Sequence, residues 1–494
     1  MEYRPTIGLE IHVELNTKTK MFCGCKNEPD ENHPNTNICP VCMGHPGTLP
    51  NINFEALKKI VLAGLALNCE IAENTFFERK NYFYPDLPKG YQISQFQSPT
   101  CANGFLEIFG KRIRIRRIHL EEDAGKLMHD QNECHSLVDY NRAGVPLMEL
   151  VTEPDLNSGD EVKEFGEQLQ LILRYLGVSD ANMEKGQMRV EANISVSQTE
   201  ELGTKVEVKN INSLRFARQA IDYEVKRQTE VLESGQKVSH ETRGWDEKKQ
   251  ATFLMRSKEE SHDYRYFPEP DLPPIKTNDS EINLDKIRAS IPELPSQKTN
   301  RFRDQYGLPD SDIRVLVFNR ELGGYFEEII SELKTWENIG YLTNPGPEQL
   351  PKLIKLCANY LITELQKIMT LQKNNLSEIG NIKISPKNFA DFIVRIFNKE
   401  ISSSGAQTLL KQMFETGDEP KNIIEQKGLS QISNTEELIA DIRRVIAENK
   451  KSVDDYKNGK QSALQFLVGK AMAKTKGRAN PQIAKQLLEQ EMNI

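Results

Sequence analysis

Two side chains that could bind a metal ion stand close together near the start of the chain, in the segment I-G-L-E-I-H-V-E-L from Ile7 to Leu15. Apolar and polar residues alternate without a break in this segment, which predicts a half-buried β-strand. Glu10 and His12 are two positions apart on its polar face, about 6.5–7 Å along the strand. That separation allows a carboxylate and an imidazole to converge on one ion or on a phosphate-bound metal. The alternative is a strand whose polar face simply meets water.

A second group of acids lies in the motif H-L-E-E-D-A-G-K, where Glu121, Glu122 and Asp123 precede a glycine and Lys126. Consecutive carboxylates are hard oxygen donors of the kind that bind Mg²⁺, and the lysine could contact a phosphate. Glu149 follows, near turns and strand ends. Acids on separate strands can meet across a sheet, although for any single one of them an ordinary solvated residue is the alternative.

Four cysteines are crowded into twenty residues, in the pattern C-x-C followed by C-x₂-C across a loop rich in Pro, Asn and Asp. Four thiolates are enough to close a tetrahedral zinc site. With no open coordination position, such a site would be structural and would anchor a loop that has no core of its own. The alternatives are two chance pairs or a redox pair. The predicted ligands are Cys23, Cys25, Cys39 and Cys42.

Aromatic and basic side chains are concentrated between Glu78 and Phe96, in E-R-K-N-Y-F-Y-P-D-L-P-K-G-Y-Q-I-S-Q-F. Two prolines and a glycine exclude a helix across this segment, which predicts an ordered loop. Tyr82 and Tyr84 could stack on a base, while the neighbouring Arg79 and Lys80 grip phosphate. The alternative is a loop that its aromatic residues pin to the core.

Other segments share the alternating pattern of the first strand, and helices with recognisable N-caps separate them. An apolar face packed on helices and a polar, ion-rich face left open are typical of a concave sheet that cradles a polar substrate. The further predicted strands cover residues 111–120, 187–196 and 204–212, and the predicted helices begin at Asn53, Ser158 and Asn212 or Ser213.

A chain of 494 residues is too long for one hydrophobic core, so two or three domains are expected. A hydrophobic content of 38% with 28% charged residues is typical of a globular protein in water, and the net charge of −8 gives no global sign of a nucleic-acid partner. No apolar run is long enough for a transmembrane helix, and the N-terminus lacks an apolar signal region. These features favour a cytoplasmic protein with no membrane partner.

The alternating patterns fade before residue 293, and helical spacing takes over. We therefore predict an α+β protein whose N-terminal cradle domain has a concave, largely antiparallel sheet backed by helices. An all-α helical domain and a small helical tail domain follow. The predicted limits are 1–293 for the cradle, with the zinc loop at 23–42, then 294–418 and 419–494.

The predicted tail is locally basic. From Arg443 to Lys485 there are eleven Lys or Arg against three Asp or Glu. A basic module at the end of an acidic chain suggests contacts with phosphate groups, and the alternative is a solvated helical face. The candidate contacts include Lys460, Lys470, Lys474 and Lys476.

Long motifs, in a fixed order, resemble one family. Besides the first strand, the cysteine pattern and H-L-E-E-D-A-G-K, they are R-K-N-Y-F-Y-P-D-L-P-K-G-Y-Q-I-S-Q, D-Y-N-R-A-G-V-P-L-M-E, D-Y-R-Y-F-P-E-P-D-L and F-L-V-G-K-A-M-A-K-T-K-G-R-A-N-P. Together they resemble the B subunits of aspartyl/glutamyl-tRNA(Asn/Gln) amidotransferases, from Gly8 almost to the C-terminus. The resemblance implies a cradle domain, a helical domain and a tail that binds the outer corner of tRNA.

The activity that this resemblance implies is that of an ATP-dependent carbon–nitrogen ligase with glutamine as the amido donor. Such a protein uses ATP and Mg²⁺ to phosphorylate the side-chain carboxylate of Glu-tRNA(Gln) or Asp-tRNA(Asn). Ammonia then gives Gln-tRNA(Gln) or Asn-tRNA(Asn). The implied partners are a small C subunit together with an amidase (glutaminase) A subunit, in a heterotrimer.

The resemblance also implies roles for individual residues. The magnesium ligands of the family map onto His12, Glu10, Glu122 and Glu149, and the retained cysteines imply a structural Zn²⁺. His12, Glu10, Glu122 and Lys80 would then be catalytic, since phosphoryl transfer depends mostly on positioning and charge neutralisation. The candidate ATP contacts come from the residues themselves, without support from the resemblance, and are Lys126, Arg79, Tyr82 and Tyr84.

Two absences from the sequence shape this interpretation. There is no G-x-x-x-x-G-K-[ST] loop, so nucleotide binding would not be of the P-loop type. Nor is there a Ser–Ser–Lys amidase arrangement, so a chain that amidates must receive ammonia through a partner. Two other hypotheses are a synthetase-type ligase, whose H-I-G-H-like and K-M-S-K-S-like signatures are not apparent, and a non-catalytic zinc-bearing scaffold that binds tRNA.

Overall fold

The chain divides into two compact units, Met1–Pro295 and Ser296–Ile494. The computed structural model describes residues 3–129, 135–257, 264–278, 281–338, 349–371, 379, 381–430, 435–475, 478–479 and 481–492. A large sheet with helices occupies the first unit, and the second is helical, which confirms the predicted α+β class. The domain limits at 293/294 and 418/419 stay predictions.

Strands dominate the first unit. They are β1 (Arg4–Glu14), β2 (Glu70–Ile71), β3 (Asn74–Thr75), β4 (Glu78–Asn81), β5 (Tyr91–Ser94), β6 (Cys101–Ile108), β7 (Lys111–Glu122), β8 (Lys126–His129), β9 (Ser136–Asp139), β10 (Pro146–Thr152), β11 (Met188–Ser197), β12 (Val206–Ile211), β13 (Glu241–Asp246), β14 (Ala251–Ser257), β15 (Phe267–Pro268) and β16 (Ile275–Lys276).

Nine of these strands form one sheet in the order β14-β13-β12-β11-β1-β10-β7-β6-β2. Its pairs are antiparallel apart from β12 with β13, which are parallel. The alternating segment of the sequence is therefore the central strand. Its apolar residues Ile7, Leu9 and Ile11 are at most 1% exposed, so one face of β1 lies entirely in the core.

Helices cover that apolar face. The first unit contains α1 (Phe54–Ala66), α2 (Gly159–Tyr175), α3 (Leu214–Glu233) and α4 (Leu284–Ala289), of which α1 packs on β7, α2 on β6 and α3 on β11. The predicted N-caps are confirmed, because the side chains of Asn53, Ser158 and Ser213 each accept hydrogen bonds from backbone N–H groups in the first turn. The opposite face of the sheet keeps its polar side chains.

The segment from Glu78 to Phe96 differs from the predicted loop, because it contains the two short strands β4 and β5. They pair in antiparallel fashion, with Arg79 opposite Ile93. Pro85 and Pro88 lie between the two strands, where a missing N–H costs no ladder hydrogen bond. Two prolines thus excluded a helix without excluding a hairpin.

The described residues of the second unit are mostly helical. The helices are α5 (Pro295–Tyr306), α6 (Asp310–Phe318), α7 (Arg320–Asn338), α8 (Gln349–Asn359), α9 (Gln366–Leu371), α10 (Pro386–Phe397), α11 (Ser403–Thr416), α12 (Pro420–Lys427), α13 (Thr435–Glu448), α14 (Lys450–Lys457), α15 (Gln461–Lys474) and α16 (Pro481–Met492), with a π-helical turn at Tyr360–Leu365. Helices α13, α15 and α16 share a core that includes Leu438, Leu464 and Leu488. Within the described ranges, no helix has both the length and the apolar character needed to cross a membrane.

Candidate active site and metal centre

Three neighbouring strands carry a row of polar side chains across the open face of the sheet. In the antiparallel register, His12 of β1 lies opposite Glu149 of β10, and Glu149 lies opposite His119 of β7. Directly opposed residues of neighbouring strands point to the same face, so two imidazoles flank one carboxylate. Glu121 is two residues beyond His119 on β7 and therefore joins the row from the same side.

The side chains of this row are in direct contact. The Nε2 atom of His12 is 3.4 Å from Glu121 Oε1 and 3.4 Å from Glu149 Oε2. Glu10, on the same strand as His12, brings its Oε1 to 3.9 Å from this nitrogen. The Nε2 atom of His119 is 3.6 Å from Glu149 Oε2 and 3.9 Å from Glu121 Oε2. Glu10, His12 and Glu149, which the sequence suggested as metal ligands, thus lie in one cluster with His119 and Glu121.

The charges of the cluster shift one another's pKa values. Burial opposes protonation of His12, but hydrogen bonds to Glu121 and Glu149 raise its pKa well above the usual value. Burial likewise opposes ionisation of Glu149, yet His119 and His12 hold its pKa below the usual range. Burial and the nearby Glu149 raise the pKa of Glu10 to about 7. A carboxyl group that resists ionisation beside other carboxylates marks an excess of negative charge, which a bound cation would offset.

The ligand atoms are close enough to share a metal ion. One atom each from Glu10, His12 and Glu149 lie within 4.8 Å of one another, and so do one atom each from His119, Glu121 and Glu149. Ligands at about 2.1 Å from an ion can be no more than about 4.2 Å apart, so small side-chain adjustments suffice. A mostly oxygen donor set with one imidazole fits a hard divalent cation such as Mg²⁺.

Glu122, a predicted magnesium ligand, is not brought to His12. Its carboxylate accepts hydrogen bonds from Lys89 Nζ, at 2.6 Å to Oε2, and from the backbone N–H of Ile93, at 3.0 Å to Oε1. Successive residues of a strand point to opposite faces, so Glu121 and Glu122 cannot both face the same ion. Glu121, and not Glu122, contacts His12.

Lys80 and Tyr82, predicted to act in catalysis and in nucleotide binding, line the same cavity as His12. The Nζ atom of Lys80 is 5.0 Å from the ring centroid of Tyr264. Burial disfavours its charge, but attraction by Glu121 raises the pKa of Lys80, so the ammonium form is favoured. The lysine thus presents a positive charge beside the acidic row.

Three other predicted nucleotide contacts lie elsewhere. Arg79 donates from Nε and Nη2 to the buried carboxylate of Glu269, at 2.7 and 2.8 Å, and therefore already has a full partner. Tyr84 and Lys126 are exposed and do not line the cavity. Local sequence could not reveal this, because Glu269 is distant from Arg79 along the chain.

The cavity over the acidic row has a volume of about 810 Å³. Its walls combine basic, acidic and aromatic side chains, and Arg189 donates to Asp123 at 2.8 Å across it. The basic residues among them suit a polyanionic substrate. Residues that line it but had not been assigned to the site include Phe96, Arg117, Arg189, Glu191, Glu207, Lys209, Arg256, Tyr264 and Tyr266. The sequence did place Arg189 and Glu191 on the polar face of a predicted strand, and this could have identified them as cavity residues.

The four predicted zinc ligands form a compact group. Sulfur atoms of Cys23, Cys25, Cys39 and Cys42 all lie within 4.8 Å of one another, and those of Cys39 and Cys42 are 3.9 Å apart. Hydrogen bonds from Cys23 and from the backbone N–H of Cys39 lower the pKa of the Cys42 thiol to about 5. Four sulfur donors at this spacing could hold one tetrahedral metal ion.

The cysteine loop is attached to the segment behind the acidic row. The side-chain oxygen of Asn141 accepts hydrogen bonds from the backbone N–H groups of Thr36 and Asn37, at 2.9 and 2.8 Å. Gly44, with φ +66°, lies so close to Lys89 that a Cβ atom there would be 2.5 Å from Lys89 Cγ. Only glycine combines this backbone with that approach, so the loop packs directly on the lysine that binds Glu122.

The predicted phosphate contacts of the tail lie on or near α15. Lys460 pairs with Asp455 at 3.6 Å, and Lys474 pairs with Glu448 at 2.8 Å. The Nζ atom of Lys470 is 5.3 Å from the ring centroid of Phe466. Lys476 lies outside the described residues. The surface of α15 is thus basic but partly neutralised by neighbouring acids.

Comparison with known proteins agrees with this architecture. Residues 5–283 match the family described as the GatB/GatE catalytic domain, and residues 348–492 match the family described as the GatB domain. Three similar proteins, each named as the B subunit of an aspartyl/glutamyl-tRNA(Asn/Gln) amidotransferase, come from Caldicellulosiruptor saccharolyticus, Thermoanaerobacter sp. and Thermotoga maritima. The first is 50% identical over 100% of this chain and 99% of its own length. The Thermoanaerobacter protein is 47% identical over 100% of this chain and 100% of its own length. The Thermotoga maritima protein is 47% identical over 99% of this chain and 99% of its own length. The chain belongs to the family of aspartyl/glutamyl-tRNA(Asn/Gln) amidotransferase B subunits.

Proposed function

We propose that the cavity over β1, β7 and β10 is where the side-chain carboxylate of a glutamate or aspartate on tRNA is activated and amidated. The overall reaction of the family converts misacylated Glu-tRNA(Gln) or Asp-tRNA(Asn) to Gln-tRNA(Gln) or Asn-tRNA(Asn). The observation that carries the proposal is the row of His119, Glu149 and His12 on opposed strand positions, with Glu121 beside it. Such a row supplies cation ligands at the base of an open cavity whose walls carry both basic and acidic side chains.

The reaction has two steps. A carboxylate oxygen of the substrate attacks the γ-phosphorus of ATP, the bond to the bridging oxygen of ADP breaks, and an acyl phosphate forms. Ammonia then attacks the acyl carbon, inorganic phosphate leaves with the former carboxylate oxygen, and the departing phosphate takes up the proton that the nitrogen loses. Both steps need charge neutralisation more than covalent help from the protein.

Different residues of the cavity would bind the metal ion and the phosphate groups. His12, Glu10, Glu149 and Glu121 would hold Mg²⁺, with Glu121 in place of Glu122. When bound, the ion would neutralise phosphate charge. Lys80 and Arg117 line the same cavity and present positive charge to phosphate oxygens. Lys80 retains its catalytic assignment, since its charged form is favoured.

The nucleotide contacts need one revision. Tyr82 remains a candidate for stacking on the adenine, because it lines the cavity. We no longer assign direct contacts with ATP to Arg79, Tyr84 and Lys126, because these residues do not line the cavity. The paired Arg79 would instead hold β4 against the segment around Glu269.

We further propose that the cysteine group holds a structural Zn²⁺. Four sulfur donors leave no open position for substrate, and the loop between the cysteines is mostly turns. The cytoplasm is the compartment that suits free cysteines at this spacing, because disulfides are rare there. The metal would stabilise the loop that packs on Lys89.

The partners that we propose for this chain are a small C subunit and an amidase, the A subunit, which would release ammonia from glutamine. The sequence of this chain contains no Ser–Ser–Lys amidase arrangement. The decisive assay supplies the co-purified complex with ATP, glutamine and each misacylated tRNA, and identifies the amino acid on the product. Formation of ADP without amidated tRNA, or no dependence on ATP, would contradict the proposed two-step reaction.

The tail, proposed to begin near residue 419, should bind the tRNA backbone. Replacing Lys460, Lys470 and Lys474 together by Ala should weaken tRNA binding, and the slope of log affinity against log salt should fall by about one for each phosphate contact that the substitutions remove. Filter-binding titrations over a range of salt concentrations measure both quantities. Lys226→Ala, at an exposed position of α3, is the control and should change neither. An unchanged slope in the triple variant would show that α15 does not contact phosphate.

A further inference from the structure

Lys20 is one of the largest side chains that the described structure buries completely, with 0% of its surface exposed. Its Nζ atom lies 4.0 Å from Cys42 Sγ and donates a hydrogen bond to the carbonyl oxygen of Tyr140 at 3.3 Å. Among the described residues, no carboxylate oxygen comes within 4.0 Å of this ammonium group. Its nearest source of negative charge is therefore the cysteine group.

A buried ammonium group is costly unless it is paired, because it loses its hydration. Four thiolates around one Zn²⁺ carry a net charge of −2, which is also costly inside a protein. We propose that Lys20 is the counter-ion of the cysteine centre and increases its affinity for zinc, an inference that rests on the proposed Zn²⁺ site. Each buried charge then offsets the desolvation cost of the other.

Backbone contacts place this pair where it can influence the active site. The N–H of Lys20 donates to the carbonyl of Cys25 at 2.9 Å, and the N–H of Met21 donates to the carbonyl of Gly144 at 2.8 Å. The N–H of Gly144 in turn donates to the carbonyl of Asp123 at 2.9 Å. The main chain at Lys20 and Met21 thus joins the cysteine loop to the segment that supports the acidic end of β7.

Lys20→Met and Lys20→Gln in the full-length chain test this inference. Methionine removes the charge and keeps the bulk, whereas glutamine removes the charge but can still donate to Tyr140. Both variants should bind zinc about 10- to 100-fold more weakly, which is the range for loss of a residue that supports metal ligands. Competition with a chromogenic zinc chelator gives the affinity, and zinc release after dilution into excess chelator gives the rate. Neither readout depends on enzymatic activity.

Lys18→Met is the matched control, because Lys18 is exposed two residues away and should leave the zinc affinity unchanged. If Lys20→Gln bound zinc as tightly and released it as slowly as the wild type, the inference would be overturned. A wild-type chain that bound no zinc would instead refute the Zn²⁺ proposal itself.

Discussion

His12→Ala should lower the rate of ATP-dependent amidation by about 100- to 1,000-fold, the usual cost of removing one group that neutralises charge in a transition state. The imidazole contacts Glu121 and Glu149 at 3.4 Å each and Glu10 at 3.9 Å. Its loss removes the nitrogen ligand of the proposed magnesium site and leaves His119 as the imidazole that contacts both Glu121 and Glu149. Supplying ammonium chloride in place of glutamine confines the measurement to the reaction of this chain.

The matched control is His129→Ala, because His129 is exposed on the short strand β8 and lies outside the cavity lining. It should amidate at the wild-type rate. Full activity in His12→Ala would favour the scaffold hypothesis, in which the acids are structural.

Mn²⁺ binding provides a second readout: Glu121→Gln should weaken it, whereas Glu122→Gln should leave it nearly unchanged, since Glu122 pairs with Lys89. If Glu122→Gln weakened Mn²⁺ binding and Glu121→Gln did not, the metal ligand would be Glu122.

Cys39→Ser/Cys42→Ser should abolish zinc binding and lower the free energy of unfolding of the first unit by about 4 kcal/mol or more. Loss of a metal site is among the few changes expected to have an effect of this size, because metal-binding energy is also folding energy. The loop from Cys23 to Cys42 contributes few buried apolar residues of its own, so it depends on the metal for its conformation. Elemental analysis gives the metal content, and thermal unfolding gives the loss of stability.

Cys69→Ala/Cys101→Ala is the control for the cysteine variant. Both residues are buried in the apolar core of the same unit, away from the metal group. This control should retain one zinc per chain even if its packing is weakened. A Cys39→Ser/Cys42→Ser chain that kept a full equivalent of zinc would contradict the assignment of these ligands.

Local pattern in the sequence was sufficient for much of the fold. Alternation from Ile7 to Leu15 identified a half-buried strand, and Asn53, Ser158 and Ser213 correctly marked the starts of α1, α2 and α3. These features depend on neighbouring residues only: a strand repeats every two residues, and a cap bonds to the next turn of the same helix. The close spacing of the four cysteines was likewise a local signal.

Tertiary structure alone decided which polar faces meet. The register of β1 with β10 and of β10 with β7 places His12, Glu149 and His119 in one row, although these residues are far apart in the chain. Strand pairing also decided that Glu121, and not Glu122, faces His12. Alternation assigns side chains to two sets, but the sheet determines which set lies against helices and which lines the cavity. The ion pair between Arg79 and Glu269 likewise depends on tertiary structure, because the pairing of β15 with β4 brings these two residues together.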